Sequence, residues 1–320
     1  MTGYKTTEKG RTIKKLTGKL ILLNRLKRIN LYNVIVYVIL LNLSFIFLYA
    51  FLYMLTTSFK SYSDLMDTTV KWYPREFKPQ NWLVALEHLQ LPNSLINSLL
   101  VSLLSTFGHV ASCSLAAYGF ARFKFPLKNL LFVMVIITII VPIQTIIVPQ
   151  YTLYGHLGWN GNFAALIVPT FLGQGLKGGL FIFLFRQFFL RLPPSLEEAA
   201  SIDGCNQYGT FLKIIIPTSG PVMLVCTVLS VVWHWNDYFE PSIYLSNAKD
   251  YLLPQILPQM QDTLNSLQTS VTQDGLATRE TFTLGVIMAG AAICVIPLLI
   301  MFFAIQNKFI ESIDRTGLVE

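Results

Sequence analysis

The run Leu196 to Gly204, LEEAASIDG, places three carboxylates and several small residues within nine positions of an otherwise apolar chain. Adjacent acids can serve acid–base chemistry only opposite a nucleophile, a second acid or a metal, and no such partner falls at useful spacing. His88, His109, His156 and His234 are scattered, and each reads as a packing or interfacial residue. Cys113, Cys205, Cys226 and Cys294 show neither a disulfide framework nor zinc spacing. No catalytic residue, metal or cofactor is expected. No G-x-x-x-x-G-K-[ST] phosphate loop is present, so ATP chemistry would belong to another chain. GQGLKG, Gly173 to Gly178, satisfies the G-x-G-x-x-G pattern but lies in an apolar run of membrane length, where glycines serve close packing or a local distortion.

LEEAASIDG is better suited to docking. Pro193 and Pro194 end the preceding helix, Ser195 is placed to cap a new one, and Glu198 completes an S-x-x-E capping box. Glu197 and Glu198 favour the positive end of that helix, and Gly204 suits the left-handed position that stops it. Ala199, Ala200 and Gly204 leave a surface of little bulk, fit to enter a groove. Glu198 has two readings, contact with a partner or capping of its own helix. A second short helix, about 206–215, is expected to present Tyr208, Phe211 and Ile215 along one side, with Pro217 closing it.

A second polar group lies inside apolar sequence. Gln174 and Lys177 fall near the middle of a predicted span, where a lysine costs roughly 2.5–3.5 kcal/mol. Lys177 either borders an aqueous pathway with Gln174 or snorkels to the inner interface. Asn236 and Asp237, at the outer end of another span, are further candidates for the path.

The elements that position these residues follow from apolar length. The chain is 53% hydrophobic and 13% charged over 320 residues, about half the charge of a soluble domain. Residues 33–59, 89–121, 129–176 and 281–306 contain no Asp, Glu, Lys or Arg, and a span needs about 20 residues. The third run is too long for one helix and divides at GHLGWNGN into spans near 129–149 and 163–185; another fits 218–236. The expected fold is therefore all-α, an integral membrane protein of six helices. A basic segment, 1–32, precedes the first span at 33–56; residues 57–92 form an outer segment. A core follows over 93–310, with a polar loop at 190–217 and an outer loop at 241–280, and a tail over 311–320.

Seventeen lysines and arginines flank one side and six the other, with Lys177 left within a span. The positive-inside rule then puts both termini and LEEAASIDG in the cytoplasm. Residues 12–31 read as an amphipathic helix on anionic lipid or as a charged tail. The net charge of +7 belongs to this inner surface, and no basic stripe with exposed aromatics points to nucleic acid.

E-A-A-x-x-x-G followed by I-x-x-P, here Glu198-Ala199-Ala200, Gly204, Ile214 and Pro217, resembles the cytoplasmic signature of permease subunits of binding-protein-dependent ABC importers. Ile216 replaces the usual leucine. LRLPPSLEEAASIDG, AAYGFARFKFP and WHWNDYFEP resemble the carbohydrate-uptake branch, of the maltose-permease G type, over about residues 35–315. The resemblance implies a bacterial or archaeal cell membrane and a subunit that is not itself an enzyme. It also implies a second permease subunit, two cytoplasmic ATPases, an extracytoplasmic binding protein and a saccharide substrate. Glu197, Glu198, Ala199, Ala200, Asp203, Gly204, Ile214 and Pro217 would then form the ATPase-coupling loop, and 241–280 would face the binding protein. Competing readings are an importer for peptide, phosphate or polyamine, and a membrane scaffold that transports nothing.

Overall fold

The computed structural model describes residues 31–175, 177–269 and 282–317, and helices are its only regular elements among them. The chain forms two compact units, 1–56 and 57–320. The first is described by helix α1, Leu31–Ser58, which is apolar on all sides. Leu41 and Phe47 are about 70% exposed. A helix with no polar face suits hydrocarbon on every side. The expected amphipathic helix at 12–31 lies outside the described residues.

In the second unit, α2 (Tyr62–Met66) and α3 (Gln80–His88) form the segment before the long helix α4 (Asn93–Arg122). Asn81 ties this segment together, donating from Nδ2 to the carbonyls of Ser58 and Lys60 at 2.9 Å each. Stacking of Phe59 on Phe77, with ring centroids 4.6 Å apart, adds to it. Ala85 of α3 and Leu89 at its C-cap pack with Val286 of α15 (Leu284–Gly317).

The apolar run 129–149 becomes two helices, α5 (Lys128–Ile140) and α6 (Ile143–His156), bent by 104°. Pro142 at the joint offers no N–H to continue α5. The run 163–185 is likewise broken, into α7 (Ala164–Phe171) and α8 (Gly178–Arg191). Gly173, Gly175 and Lys177 in the gap all take positive φ, +71°, +99° and +64°. The glycine run thus carries a backbone distortion, and no strand precedes it as a dinucleotide site would need.

After α8 come α9 (Ser195–Ile202), α10 (Gln207–Thr210), a π turn (Phe211–Ile215) and α11 (Ile216–Thr218). Helix α12 (Gly220–Asn236) leaves this segment at 80°. Helices α13 (Phe239–Tyr244) and α14 (Leu253–Thr269) follow. Leu253, Ile256, Met260 and Leu264 of α14 are buried, while Gln261, Asp262 and Asn265 are exposed.

Helix α4 is the centre of this unit. Its buried positions include Ser94, Ser98, Val101, Ser105, Gly108, His109, Cys113 and Ala117, a stripe at three- and four-residue spacing. Small side chains there let neighbours approach closely, the usual means of association in lipid. A Cβ on Gly108 would overlap Thr170 and Phe171 of α7. Ser112 donates to the Thr170 carbonyl at 2.6 Å. Nearer the other end, Phe181, Phe185 and Phe189 of α8 pack with Cys113, Ala117 and Tyr118 of α4 and Cys226 of α12.

Among the described residues three helices are long and apolar enough to cross a membrane, or five if each bent pair is one span. Helix α15 runs on through 311–317 of the expected tail segment.

Candidate functional site: a latched short helix and a broken span

Helix α9 begins one residue earlier than its polar sequence promises. Pro194, with φ −59° and ψ −28°, already takes helical geometry and is the N-cap. Its carbonyl accepts from the N–H groups of Glu197 and Glu198 at 3.0 and 3.1 Å. Ser195 therefore lies within the helix, and the expected Ser195–Glu198 capping box is absent. The physical reason is the double proline, whose fixed φ pre-sets the first turn. Glu198 is exposed and free of a capping role.

Glu197 is the acid that holds the helix in place. Its Oε1 lies 2.7 Å from Nε of Arg122 at the end of α4, a close ion pair rather than an aligned hydrogen bond. Nη2 of Arg122 also donates to the Leu192 carbonyl at 2.7 Å. One guanidinium thus grips both sides of the double proline. A cavity of about 230 Å³ lies beside it, lined by Tyr118, Arg122, Glu197, Ser201, Cys205 and Gln207 among others.

At the other end of the helix Gly204 has φ +79°, the left-handed geometry that favours glycine. Its N–H donates to Ser201 at 3.1 Å, and that of Cys205 donates to Ala200 at 2.9 Å. This pair of bonds is the Schellman stop. Asp203 is the C-cap and is exposed.

The sequence expectation for the docking face needs two corrections. Ala200 is only 1% exposed, buried within the chain, whereas Ala199 and Gly204 are exposed. Tyr208 does not share a side with Phe211 and Ile215: those two are buried, and Tyr208 is 72% exposed. Ile202, missed in the sequence, is 86% exposed, and Leu212 is 63% exposed. The four-residue step from Glu198 to Ile202 was the available signal. Ile214 is half-buried and Pro217 exposed. The outward surface thus consists of Glu198, Ala199, Ile202, Asp203 and Gly204, flanked by Tyr208 and Leu212.

The candidate path residues separate into two groups. Gln174 is exposed and lines a cavity of about 500 Å³ with Gln150, Tyr154, Trp159, Pro169 and Leu172. Lys177 is exposed at the start of α8 but is not among the lining residues. Asn236 and Asp237 do not line this cavity either. Asn236 donates to the Val232 carbonyl at 2.8 Å. Asp237 accepts from the N–H groups of Phe239 and Glu240 at 3.0 and 3.4 Å, and so caps α13. Burial raises the Asp237 carboxyl to about 6. Burial and then the neighbouring Asp237 raise that of Glu240. Glu240 is 7% exposed.

Two of the dispersed histidines meet. Nε2 of His234 lies 3.1 Å from Nδ1 of His109, and Nε2 of His109 lies 3.1 Å from the Gln174 carbonyl. Spacing in the sequence carries no trace of this, because α4 and α12 are far apart along the chain.

The described residues thus form an all-helical unit with apolar spans, a broken helix and an outward-facing short helix. Residues 108–315 match the family model of the binding-protein-dependent transport system inner membrane component, and the chain belongs to that family. Similar proteins include an osmoprotective compounds uptake permease from Synechocystis, 30% identical over 87% of this chain and 89% of its own length. An arabinooligosaccharides transport system permease from Halalkalibacterium halodurans is 26% identical over 86% of this chain and 92% of its own. In structure, the chain resembles one from a bacterial ABC transporter involved in import of the acidic polysaccharide alginate. The TM-score is 0.71 at 19% identity, covering 87% of this chain and 96% of that one. The chain is a transport component of the multi-pass inner-membrane class and not itself an enzyme.

Proposed function

We propose that this chain forms half of the translocation pathway of an ATP-driven importer for a sugar or oligosaccharide, and that α9 couples it to a cytoplasmic ATPase. The carrying observation is the outward surface of α9. An isoleucine and two carboxylates face away from the fold on a helix held from behind by Arg122 and Glu197. Exposed apolar area rimmed by acids suits a protein partner. Glu198 contacts that partner, since no cap occupies it here. The six-span arrangement follows if α7 and α8 are counted as one interrupted span beside the five candidates. The charge distribution supports cytoplasmic termini.

In this reading the partners are a second permease chain, two ATPases and an extracytoplasmic binding protein that meets the exposed polar face of α14. A saccharide is supported by the arabinooligosaccharide relative and by the cavity wall of Tyr154, Trp159, Gln150 and Gln174, since aromatic and amide groups suit sugar faces and hydroxyls. The second reading is an importer for a non-sugar solute, and the Synechocystis relative, named for osmoprotective compounds, leaves the solute class open.

The test is reconstitution with the partner subunits, followed by binding-protein-stimulated ATP hydrolysis and uptake across a saccharide panel. Stimulation by at least one saccharide is expected. A flat response to every saccharide would move the substrate to the second reading, and failure of the ATPases to bind would remove the coupling role.

A further inference from the structure

The His109–His234 pair lies outside the docking surface and does not line the cavity. It consists of two imidazoles in the interior of a membrane unit, 1% and 7% exposed, stacked with centroids 5.1 Å apart and an interplanar angle of 28°. Buried polar side chains in a span carry a desolvation cost unless bonded, and here the bonds form a chain. The direction of that chain follows from its end. The Gln174 carbonyl can only accept, so His109 carries its proton on Nε2. In a neutral ring Nδ1 is then the acceptor, so His234 donates to it from Nε2. The relay runs from His234 to His109 to the backbone of Gln174.

Its two ends lie in mechanically different places. Helix α12 leaves the docking segment directly, and His234 stands fourteen residues beyond Gly220, roughly 21 Å along it. Gln174 lies in the unwound stretch between α7 and α8, flanked by Gly173 and Gly175 at positive φ. That backbone is held by turn bonds rather than a helical ladder, with the Gln174 N–H donating to the Pro169 carbonyl at 3.0 Å. The space around it is close-fitted to the imidazole: a Cβ on Gly175 or Gly178 would lie 3.6 Å from His109 Nε2.

We propose that His109 and His234 are positioning residues that tie the unwound Gln174 segment to α12, so that movement of α12 reshapes the cavity wall. This rests on the coupling role given to α9. A helix displaced at its base by the docking segment pulls, through the two imidazoles, on a carbonyl in a stretch outside any regular helix. The aromatic neighbours do not replace this link. Trp233 packs on Phe181 of α8 at 5.4 Å, and Trp235 donates to the Cys294 carbonyl at 3.0 Å. Both hold α12 in place without touching Gln174, so a variant that loses the relay keeps the fold.

The experiment uses the complex assembled with its ATPases. Gln174→Cys keeps the accepting carbonyl and provides a thiol on the cavity wall; the native Cys113, Cys226 and Cys294 are buried, and the half-buried Cys205 is replaced by serine throughout. Labelling by a membrane-impermeant maleimide is measured with and without ATP, against the protein lacking the added cysteine. The labelling rate is expected to change with ATP. In His234→Leu that ATP-dependent change should fall about tenfold, a coupling of ordinary allosteric size. His234→Gln, which keeps a donor at the same reach, should retain most of it. Thermal unfolding in detergent reports the fold of each variant. An ATP response that is absent without the histidine substitutions, undiminished in His234→Leu, or lost equally in His234→Gln would overturn the proposal. The labelling needs no transported solute, and co-purification of the ATPases reports the coupling role separately.

Discussion

Arg122 and Glu197 meet at 2.7 Å, joining the last residue of the central helix to the first turn of α9. Their side chains are 12% and 24% exposed, so the pair is only partly screened by solvent. The contact makes the orientation of α9 a property of α4.

Removing either partner should loosen α9 without unfolding the spans. A double-mutant cycle of Arg122→Gln and Glu197→Gln should give an interaction of about 1–3 kcal/mol, the range of charge-assisted contacts. Each single variant should hydrolyse ATP while transporting less solute per ATP. Additive effects in the cycle would show that the pair carries no coupling.

Gly204 separates backbone need from surface need. A Cβ there meets nothing within 4 Å, yet φ is +79°. Gly204→Val should strain the turn by roughly 1–2 kcal/mol and lose coupled uptake while the subunit still inserts. Asn tolerates left-handed geometry, so Gly204→Asn should keep the turn and the assembly and still lower uptake per ATP. Wild-type uptake in the asparagine variant would show that the docking face accepts bulk here.

Ile202 should be an anchor of the docking surface. Full burial of such a side chain contributes about 1.5–3 kcal/mol, so Ile202→Ala should weaken ATPase binding by tenfold or more, measured with purified subunits. Ala200→Ser should act on the stability of the permease rather than on that affinity, because Ala200 is buried within its own chain.

Glu240 predicts a pH dependence. Burial, then Asp237, pushes its carboxyl up to about 8, above the ordinary 4.5. The folded state therefore binds the proton more tightly than the unfolded state. That stability is present below about 4.5 and is lost as pH rises through about 8. The thermal midpoint in detergent should fall by several degrees between pH 5 and 9, and Glu240→Gln should flatten the slope. Equal slopes would show that the carboxyl is not the source.

Much of the helical content was legible because apolar runs of membrane length leave few alternatives. The breaks were less so. Pro142 and the glycines at 173 and 175 were visible, but a bend of 104° depends on neighbours that no local pattern names. At the docking helix, Gly204 was readable because left-handed backbone selects glycine. Ser195 misled because its capping signature competes with a proline that already satisfies the turn. Ala200 was misplaced because a small side chain suits close packing within its own chain as well as entry into a groove. Tyr208 was misplaced because a tyrosine, with an apolar ring and a polar tip, suits an exposed face as well as a buried one. The histidine pair was invisible for a different reason: it is a contact between distant helices.

The unwound stretch before α8 also has a consequence for biosynthesis. Bare carbonyls cannot rest in hydrocarbon without partners, and the first partner supplied to Gln174 is His109 of α4. Ser112 of the same helix covers the Thr170 carbonyl at the edge of the break. Helix α4 is made before that stretch leaves the ribosome. The partners for those carbonyls thus precede, in the order of synthesis, the break that needs them.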